Sequence, residues 1–311
     1  MSAMCRRLTI TRSAVHRRRR DLVVKLQIRN NSDSVIPVKL AYVSYEAMNG
    51  DKNPAHHPII VMHGLLGSKT NWSSLSKAIH QRTNRKVITV DARNHGDSPH
   101  SLEMTYGHMA QDIVRLMDDL GFEKSVLVGH SMGGSTMMYV ALHNPRLVEK
   151  LVVIDMSPVR TSPQLLDVQQ LMRVMSTINF EGVATLTKAR GIVKERLAKV
   201  TSSFSLRQFL AMNVVEADVG KFKWRVNLPV LEQAFPNQIA VFPDVGSKVY
   251  DGPTLFIGGG KSDFIRVEDH DKIKLLFPSA RFTYIKDANH WVHADKPEEF
   301  LRTTIDFINQ P

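Results

Sequence analysis

The 311-residue chain is 43% hydrophobic and 23% charged, a composition that excludes intrinsic disorder, collagen-like repeats and a disulfide scaffold. Its single cysteine, Cys5, rules out an intramolecular disulfide. No Cys/His cluster has zinc-ligand spacing, so neither metal nor cofactor is expected. The formal net charge of +11 would imply a polyanionic partner if it were spread over the whole chain, and it is not.

Seven arginines (Arg6, Arg7, Arg12, Arg17, Arg18, Arg19 and Arg20) fall in residues 1–20, with no Asp or Glu. Without them 34 basic side chains face 30 acidic ones, so the body is nearly neutral and no nucleic-acid partner is expected. An Arg-rich, Ser/Thr-containing, acid-free leader has the composition of a mitochondrial transit peptide, and no apolar stretch of the kind a secretory signal needs follows the arginines. Mitochondrial import, with a matrix location, is the expectation. A solvated basic tail or a nuclear-type signal is the alternative. Residues 1–30 are set apart from the fold on this basis.

From Val38 onward short apolar runs alternate with helix-like segments. Residues 59–62, 87–90, 125–128, 151–154, 254–257 and 281–285 read as buried strands, each four or five residues long and rich in β-branched side chains. Helices are expected over 70–82, 105–120, 133–143, 265–277 and 296–309, the last opened by Pro297. This order predicts a mostly parallel sheet flanked by helices, an α/β architecture. The runs at 59–62 and 151–154 are far too short to span a membrane, which takes about 20 residues. Between residues 157 and 250 the alternation stops, and segments 163–178, 181–200 and 205–217 look helical with no buried strand. The expected organisation is therefore a core over 31–156, a helical cap over 157–250, and the rest of the core over 251–311. Such a cap, rich in Met, Leu, Phe and Val, would suit a lid over an apolar pocket.

Chemistry-bearing residues follow the strands. After 59–62 comes His63-Gly64-Leu65-Leu66-Gly67, a loop suited to presenting the Leu65 N–H to a developing oxyanion, with the side chains of Leu65 and Leu66 beside an acyl site. After 125–128 comes Gly129-His130-Ser131-Met132-Gly133-Gly134, which matches G-x-S-x-G in the strand-turn-helix context that pattern requires. Ser131 is the candidate nucleophile, and Met132 would supply the second oxyanion N–H. Two acids end later strands: Asp155 after 151–154, and Asp263 beyond a Gly258-Gly259-Gly260 turn. Sequence spacing alone does not choose between them. Lys261-Ser262 makes that turn look like the end of a phosphate-binding loop, but the motif's first Gly is missing, since position 255 is Leu. His290 follows the last strand by five residues and is the candidate base, with His293 its competitor. His56, His57, His80 and His143 have no supporting context and are taken as surface residues.

Taken together, His63-Gly64, Asp91-Ala92-Arg93-Asn94-His95-Gly96-Asp97-Ser98-Pro99, Gly129 to Gly134 and Asn289-His290-Trp291 resemble the α/β-hydrolase superfamily. Within it, the stretches His63 to Asn71, Asp91 to His100 and Trp224 to Leu228 are similar to a mitochondrial branch of serine hydrolases. The resemblance runs from about Val38 to Phe307. It implies a Ser-His-Asp esterase or lipase acting on diacylglycerol at the sn-1 position, and association with mitochondrial 2-oxo acid dehydrogenase complexes. It also places the acid at Asp155 rather than Asp263. Two departures stand out. Pro229 occupies a position sometimes assigned to the acid, and Asn289 replaces the usual Gly before the histidine; Asn tolerates a left-handed backbone nearly as well.

The expected function is hydrolysis of a lipid carboxylic ester through Ser131, His290 and Asp155. Alcohol acyl transfer and short-chain ester hydrolysis are alternatives on the same residues. A non-catalytic ligand- or protein-binding module on the same fold is the alternative of another class.

Overall fold

The computed structural model describes residues 35–46 and 56–311, so the basic leader lies outside the described residues. Seven strands form one sheet in the order β1-β3-β2-β4-β5-β8-β9. They are β1 (Tyr42–Tyr45), β2 (Ile59–Met62), β3 (Val87–Val90), β4 (Ser125–His130), β5 (Val148–Ile154), β8 (Thr254–Gly259) and β9 (Ala280–Ile285). Every pairing is parallel except β1 with β3. The six expected strands all form, and β1 adds an antiparallel edge whose residues are exposed or half-buried and carry no buried apolar run.

Alternation along each strand sorts side chains between two buried faces. Ile59, Val61, Val126, Val128, Val152 and Ile154 pack on one face, against α1 (Ser73–Thr83) and α10 (Pro297–Asn309). Ile60, Met62, Leu127, Leu151 and Val153 fill the other, under α2 (Tyr106–Asp119) and α3 (Met132–His143). The strands read as unbroken apolar runs because both faces are covered. Phe300, wholly buried on α10, contributes about 2–3 kcal/mol through area removed from water. Two short helices, α8 (His270–Leu276) and α9 (Val292–Asp295), complete the core. The expected helix over 265–277 is shorter than its apolar pattern suggested, because a 3₁₀ turn at Val267–Asp269 precedes it.

The insertion after β5 comprises α4 (Leu165–Ser176), α5 (Leu186–Leu197), α6 (Phe204–Ala211) and α7 (Leu228–Ala234). It is not purely helical. Helix α6 stops at Ala211, and the expected continuation to residue 217 is instead strand β6 (Val214–Asp218), paired with β7 (Lys221–Trp224) as an antiparallel hairpin. The turn works because Gly220 takes φ 72°, a conformation that costs glycine little. The local signals are Val214-Val215 and the alternating Phe222 and Trp224; four exposed charged residues, Glu216, Asp218, Lys221 and Lys223, mask them as a buried strand. Among the described residues no helix is long and apolar enough to cross a membrane.

The carboxyl ends of the six parallel strands face one edge, and strand order reverses around β2, whose neighbours are β3 and β4. An open α/β sheet places its ligand crevice at such an edge. The segments following β2, β4, β5, β8 and β9 carry Leu65, Ser131, Asp155, Asp263 and His290.

Candidate active site

Between β4 and α3 the chain makes a sharp bend at Ser131, with φ 52° and ψ −118°. A non-glycine residue held there stores roughly 1–3 kcal/mol of strain, and the surroundings must over-determine it. They do: Ser131 N–H donates to Ile154 O at 3.0 Å, and Ser135 N–H donates to Ser131 O at 3.0 Å. A Cβ on Gly129 would strike the backbone of Gly133 and Gly134, and one on Gly133 would sit 2.6 Å from His63 O. The flanking glycines are therefore dictated by contact with the helix start and with the end of β2. The Ser131 hydroxyl makes no hydrogen bond among the described residues and opens onto the cavity.

Asp155 ends β5 in the same left-handed region (φ 48°), its N–H bonded to Ile257 O at 2.9 Å. Its carboxylate is fully buried and accepts three hydrogen bonds. Gly259 N–H donates to Oδ1 at 2.9 Å, and the Ser262 hydroxyl and His290 Nδ1 both reach Oδ2, the latter at 2.8 Å. Asp263, the rival acid, does not touch His290. Its Oδ1 accepts from Ser162 Oγ at 2.6 Å, and Oδ2 lies 3.6 Å from Arg266. Strand β8 runs to Gly259, and the turn beyond drops Ser262 onto Asp155 while carrying Asp263 past it. Of the two acids that spacing left open, Asp155 is the one in contact with His290.

His290 stacks on Phe264 (centroids 3.9 Å apart, planes at 19°), and its carbonyl accepts from His130 Nε2–H at 2.9 Å. With Nδ1–H directed at Asp155, Nε2 is the nitrogen left to exchange a proton. His293 instead stacks on Trp72 at 4.3 Å, and its Nδ1 has no partner. Burial, reinforced by neighbouring His290, pushes His293 down to about 3 and keeps it neutral. Burial and the two adjacent histidines hold His130 far below the usual imidazole value too. Asn289 needs no left-handed backbone, contrary to expectation. The positive φ (62°) belongs to Asp287, and Asn289 N–H donates to Asp295 Oδ2 at 2.8 Å. His56, His57, His80 and His143 stand outside the cavity.

The loop after β2 packs directly on the bend, since a Cβ on Gly64 would lie 3.2 Å from Ser131 Cβ. Two buried neutral histidines shape it. His63 Nε2 accepts from Ala92 N–H at 3.1 Å while Nδ1–H donates to Gly64 O at 2.7 Å. His95 Nδ1–H donates to Arg93 O at 2.9 Å and Nε2 accepts from Leu66 N–H at 3.1 Å. Burial, then repulsion from His63, pushes His95 down to about 3. Leu66 adopts φ 61°, and its carbonyl accepts from the cap residue Asn213 Nδ2 at 2.8 Å. That leaves the Leu65 N–H without an acceptor among the described residues. Met132, first in α3, has no intrahelical partner for its N–H. Two donors thus remain free on either side of Ser131.

Further bonds anchor the cap's hairpin to the core. Asp97 links Lys69, at 2.6 Å, with Arg225, at 2.5 Å, and Lys69 also meets buried Asp91 at 2.5 Å. Burial alone would lower the Lys69 ammonium, but the two carboxylates outweigh it and hold it above its usual value. Asn227 N–H donates to Asn94 O at 3.0 Å.

Sequence reasoning missed Ser262, His130, His95 and Asn213. Ser262 lies within the Lys261-Ser262 stretch that resembles the end of a phosphate-binding loop, and its hydroxyl donates to Asp155. No local pattern marks Asn213.

A cavity of about 170 Å³ lies over these groups. Ser131, His290, Leu65 and Leu66 line its floor, and Leu171, Leu206 and Phe209 of the cap line its roof. Among the described residues no cluster of three His, Cys, Asp or Glu is arranged to hold a metal ion.

Residues 57–181 match a family profile described as the alpha/beta hydrolase fold. The chain is 44% identical over 267 residues to the sn-1-specific diacylglycerol lipase of Mus musculus, covering 86% of this chain and 85% of the relative. It is 33% identical to esterase YbfF of Escherichia coli, covering 88% of this chain and all (100%) of that one. A solved marine microorganism esterase superposes with TM-score 0.78 at 30% identity, covering 87% of this chain and 99% of the other. With the glycine-framed serine bend, the sheet order and these likenesses in hand, the chain belongs to the α/β-hydrolase fold family, among its carboxylic ester hydrolases.

Proposed function

We propose that the chain hydrolyses carboxylic esters of lipids, diacylglycerol among them, through an acyl-enzyme on Ser131. The observation that carries this reading is the 2.8 Å bond from His290 Nδ1 to Asp155. It fixes the tautomer that leaves Nε2 free in the cavity Ser131 also lines.

Ser131 Oγ attacks the ester carbonyl carbon as His290 Nε2 takes its proton. Asp155 stabilises the imidazolium from Nδ1, and its own charge is held by Gly259 and Ser262. The tetrahedral oxyanion is met by the free N–H groups of Leu65 and Met132, a pair worth several kcal/mol when preorganised away from water. Collapse expels the alcohol, protonated by His290, and leaves an ester on Ser131. Water, deprotonated by the same nitrogen, then releases the acid. In the free protein a nucleophile and base need not be hydrogen-bonded, since such contacts tighten on substrate binding.

The apolar roof and floor support a fatty acyl chain. A cavity of about 170 Å³ lined largely by apolar side chains is suited to burying an acyl chain. The name of the Mus musculus relative supports the glyceride substrate. The acid-free Arg-rich leader supports mitochondrial import, where an association with 2-oxo acid dehydrogenase complexes rests on the family resemblance alone.

Labelling with a fluorophosphonate probe should be complete in the wild-type chain and absent in Ser131→Ala, whose ester turnover should fall about 10⁶-fold. Turnover of mono- and diacylglycerols alongside esters of graded chain length then tests the substrate. Activity on acetyl esters alone would remove the lipid reading while sparing the esterase.

A further inference from the structure

Positive charge on the folded body is concentrated in one part of the cap. Residues 186–225 carry nine Lys or Arg and three Asp or Glu. Beyond residue 20 the chain holds 34 and 30, so everything outside this segment carries 25 basic against 27 acidic side chains. Arg225 is paired with Asp97, but Lys188, Lys194, Arg196, Lys199, Lys221 and Lys223 meet no carboxylate among the described residues. The segment is one packed unit. Helix α5 lies against α6 and β6, and Arg190 reaches Val214 O at 3.1 Å.

Helix α6 presents apolar residues on two sides. Leu206, Phe209 and Leu210 line the cavity. Phe204, Gln208 and Met212, spaced by four and so on one stripe, are exposed, Phe204 at 62% and Met212 at 56%. Val219 at the hairpin tip is 99% exposed. The Arg207 guanidinium lies 5.9 Å from the Phe204 ring. Exposed apolar side chains, in a packed segment whose cations mostly lack carboxylate partners and whose helix α6 lines the cavity, form the composition of a surface that lies in a lipid headgroup region.

We propose that the α5–α6–hairpin face of the cap docks on an anionic lipid surface, setting the roof of the cavity against the bilayer. Charge selects this occupant. The chain's own leader is as basic as the face, and a second copy would bring the same sign against it. Phe204, Met212 and Val219 then enter the headgroup boundary while the cations meet lipid phosphates. Docking itself does not depend on the proposed ester chemistry; only its consequence, delivery of a lipid ester beneath α6, rests on that reading.

The test uses the full chain and vesicles of phosphatidylcholine, with or without phosphatidylglycerol. Partitioning should require phosphatidylglycerol and weaken with salt. The triple variant Lys199→Gln, Lys221→Gln, Lys223→Gln should lose on the order of 100-fold in partitioning, and Phe204→Ser roughly tenfold. Because the leader is unchanged in both of these variants, their differences report the cap alone. A fluorophore at Met212→Cys, in a Cys5→Ser background, should shift to the blue on phosphatidylglycerol vesicles only. Turnover of a water-soluble ester should be unchanged in these variants, which separates failed docking from failed catalysis. Unaltered partitioning in the variants, or no spectral shift on bound vesicles, would overturn the proposal. So would a loss in the lysine variant with none in Phe204→Ser, which would mark a general polyanion site.

Discussion

On the β5–β8–β9 side of the cavity, Asp155 and His290 are held by bonds made within the sheet's own edge: a backbone N–H, a hydroxyl and a ring nitrogen all converge on one buried carboxylate. On the β2–β4 side, Ser131 and the Leu65–Leu66 loop are strained backbone, kept in place by neutral histidines and by one amide reaching down from the cap. The first half is fixed by charge, and none of the hydrogen bonds to the Asp155 carboxylate or the His290 ring comes from the insertion. The second is fixed by hydrogen bonds to groups that must stay neutral, and it depends on the insertion. A hydrolase built this way can vary its cap for substrate without disturbing the acid–base pair, yet the oxyanion loop will register each such change.

The sharpest way to break the first half is Asp155→Asn, which keeps the shape but presents an amide to His290 and so favours the wrong tautomer. A loss of about 10⁴ in kcat is expected. Asp263→Asn, engaged only with Ser162 and Arg266, should stay within about twofold of wild type. Steady-state kinetics on a soluble ester reads both, and the reverse pattern would move the acid to the loop after β8.

For the second half, Asn213→Ala removes the bond to the Leu66 carbonyl. One such bond contributes about 0.5–1.5 kcal/mol. If that energy holds the Leu65 N–H on the oxyanion, kcat should fall about tenfold with KM nearly unchanged, and Asn213→Asp should not restore it, since a carboxylate cannot donate. An effect on KM alone would mean that Asn213 shapes the cavity rather than the oxyanion site.

A smaller effect is read through pH. His95 and His293 sit near 3 in the folded chain against 6.5 for a free imidazole. The unfolded chain therefore binds protons that the folded one refuses across that interval. Their contribution is whole above about pH 6.5 and drains away as pH falls toward 3. Urea midpoints should show a loss of about 2–4 kcal/mol between pH 7 and pH 5. A flat profile would mean these rings are not held neutral.

The sheet was legible because parallel strands covered on both faces appear as short apolar runs, and the candidate nucleophile because its bend needs glycines at fixed places. Spacing did not choose between Asp155 and Asp263, which follow adjacent strands; the resemblance pointed to Asp155, and the path of the turn after Gly259 leaves Asp155 as the one that meets His290. Ser262 was hidden inside a resemblance to another motif. Asn213 lies 147 residues from its partner Leu66, and no local pattern reports a contact of that range. The hairpin was concealed by its exposed polar face, which weakens the apolar alternation that reveals a strand. What lies within one bend can be read from the chain; what bridges cap and core needs coordinates.

The most direct test is a crystal structure of the chain after reaction with an alkyl phosphonate ester. Phosphorus should be bonded to Ser131 Oγ, the phosphoryl oxygen within hydrogen-bond distance of Leu65 N and Met132 N, His290 Nε2 beside the bound group and Nδ1 still on Asp155. An adduct on another residue, or a phosphoryl oxygen turned away from both amides, would contradict it.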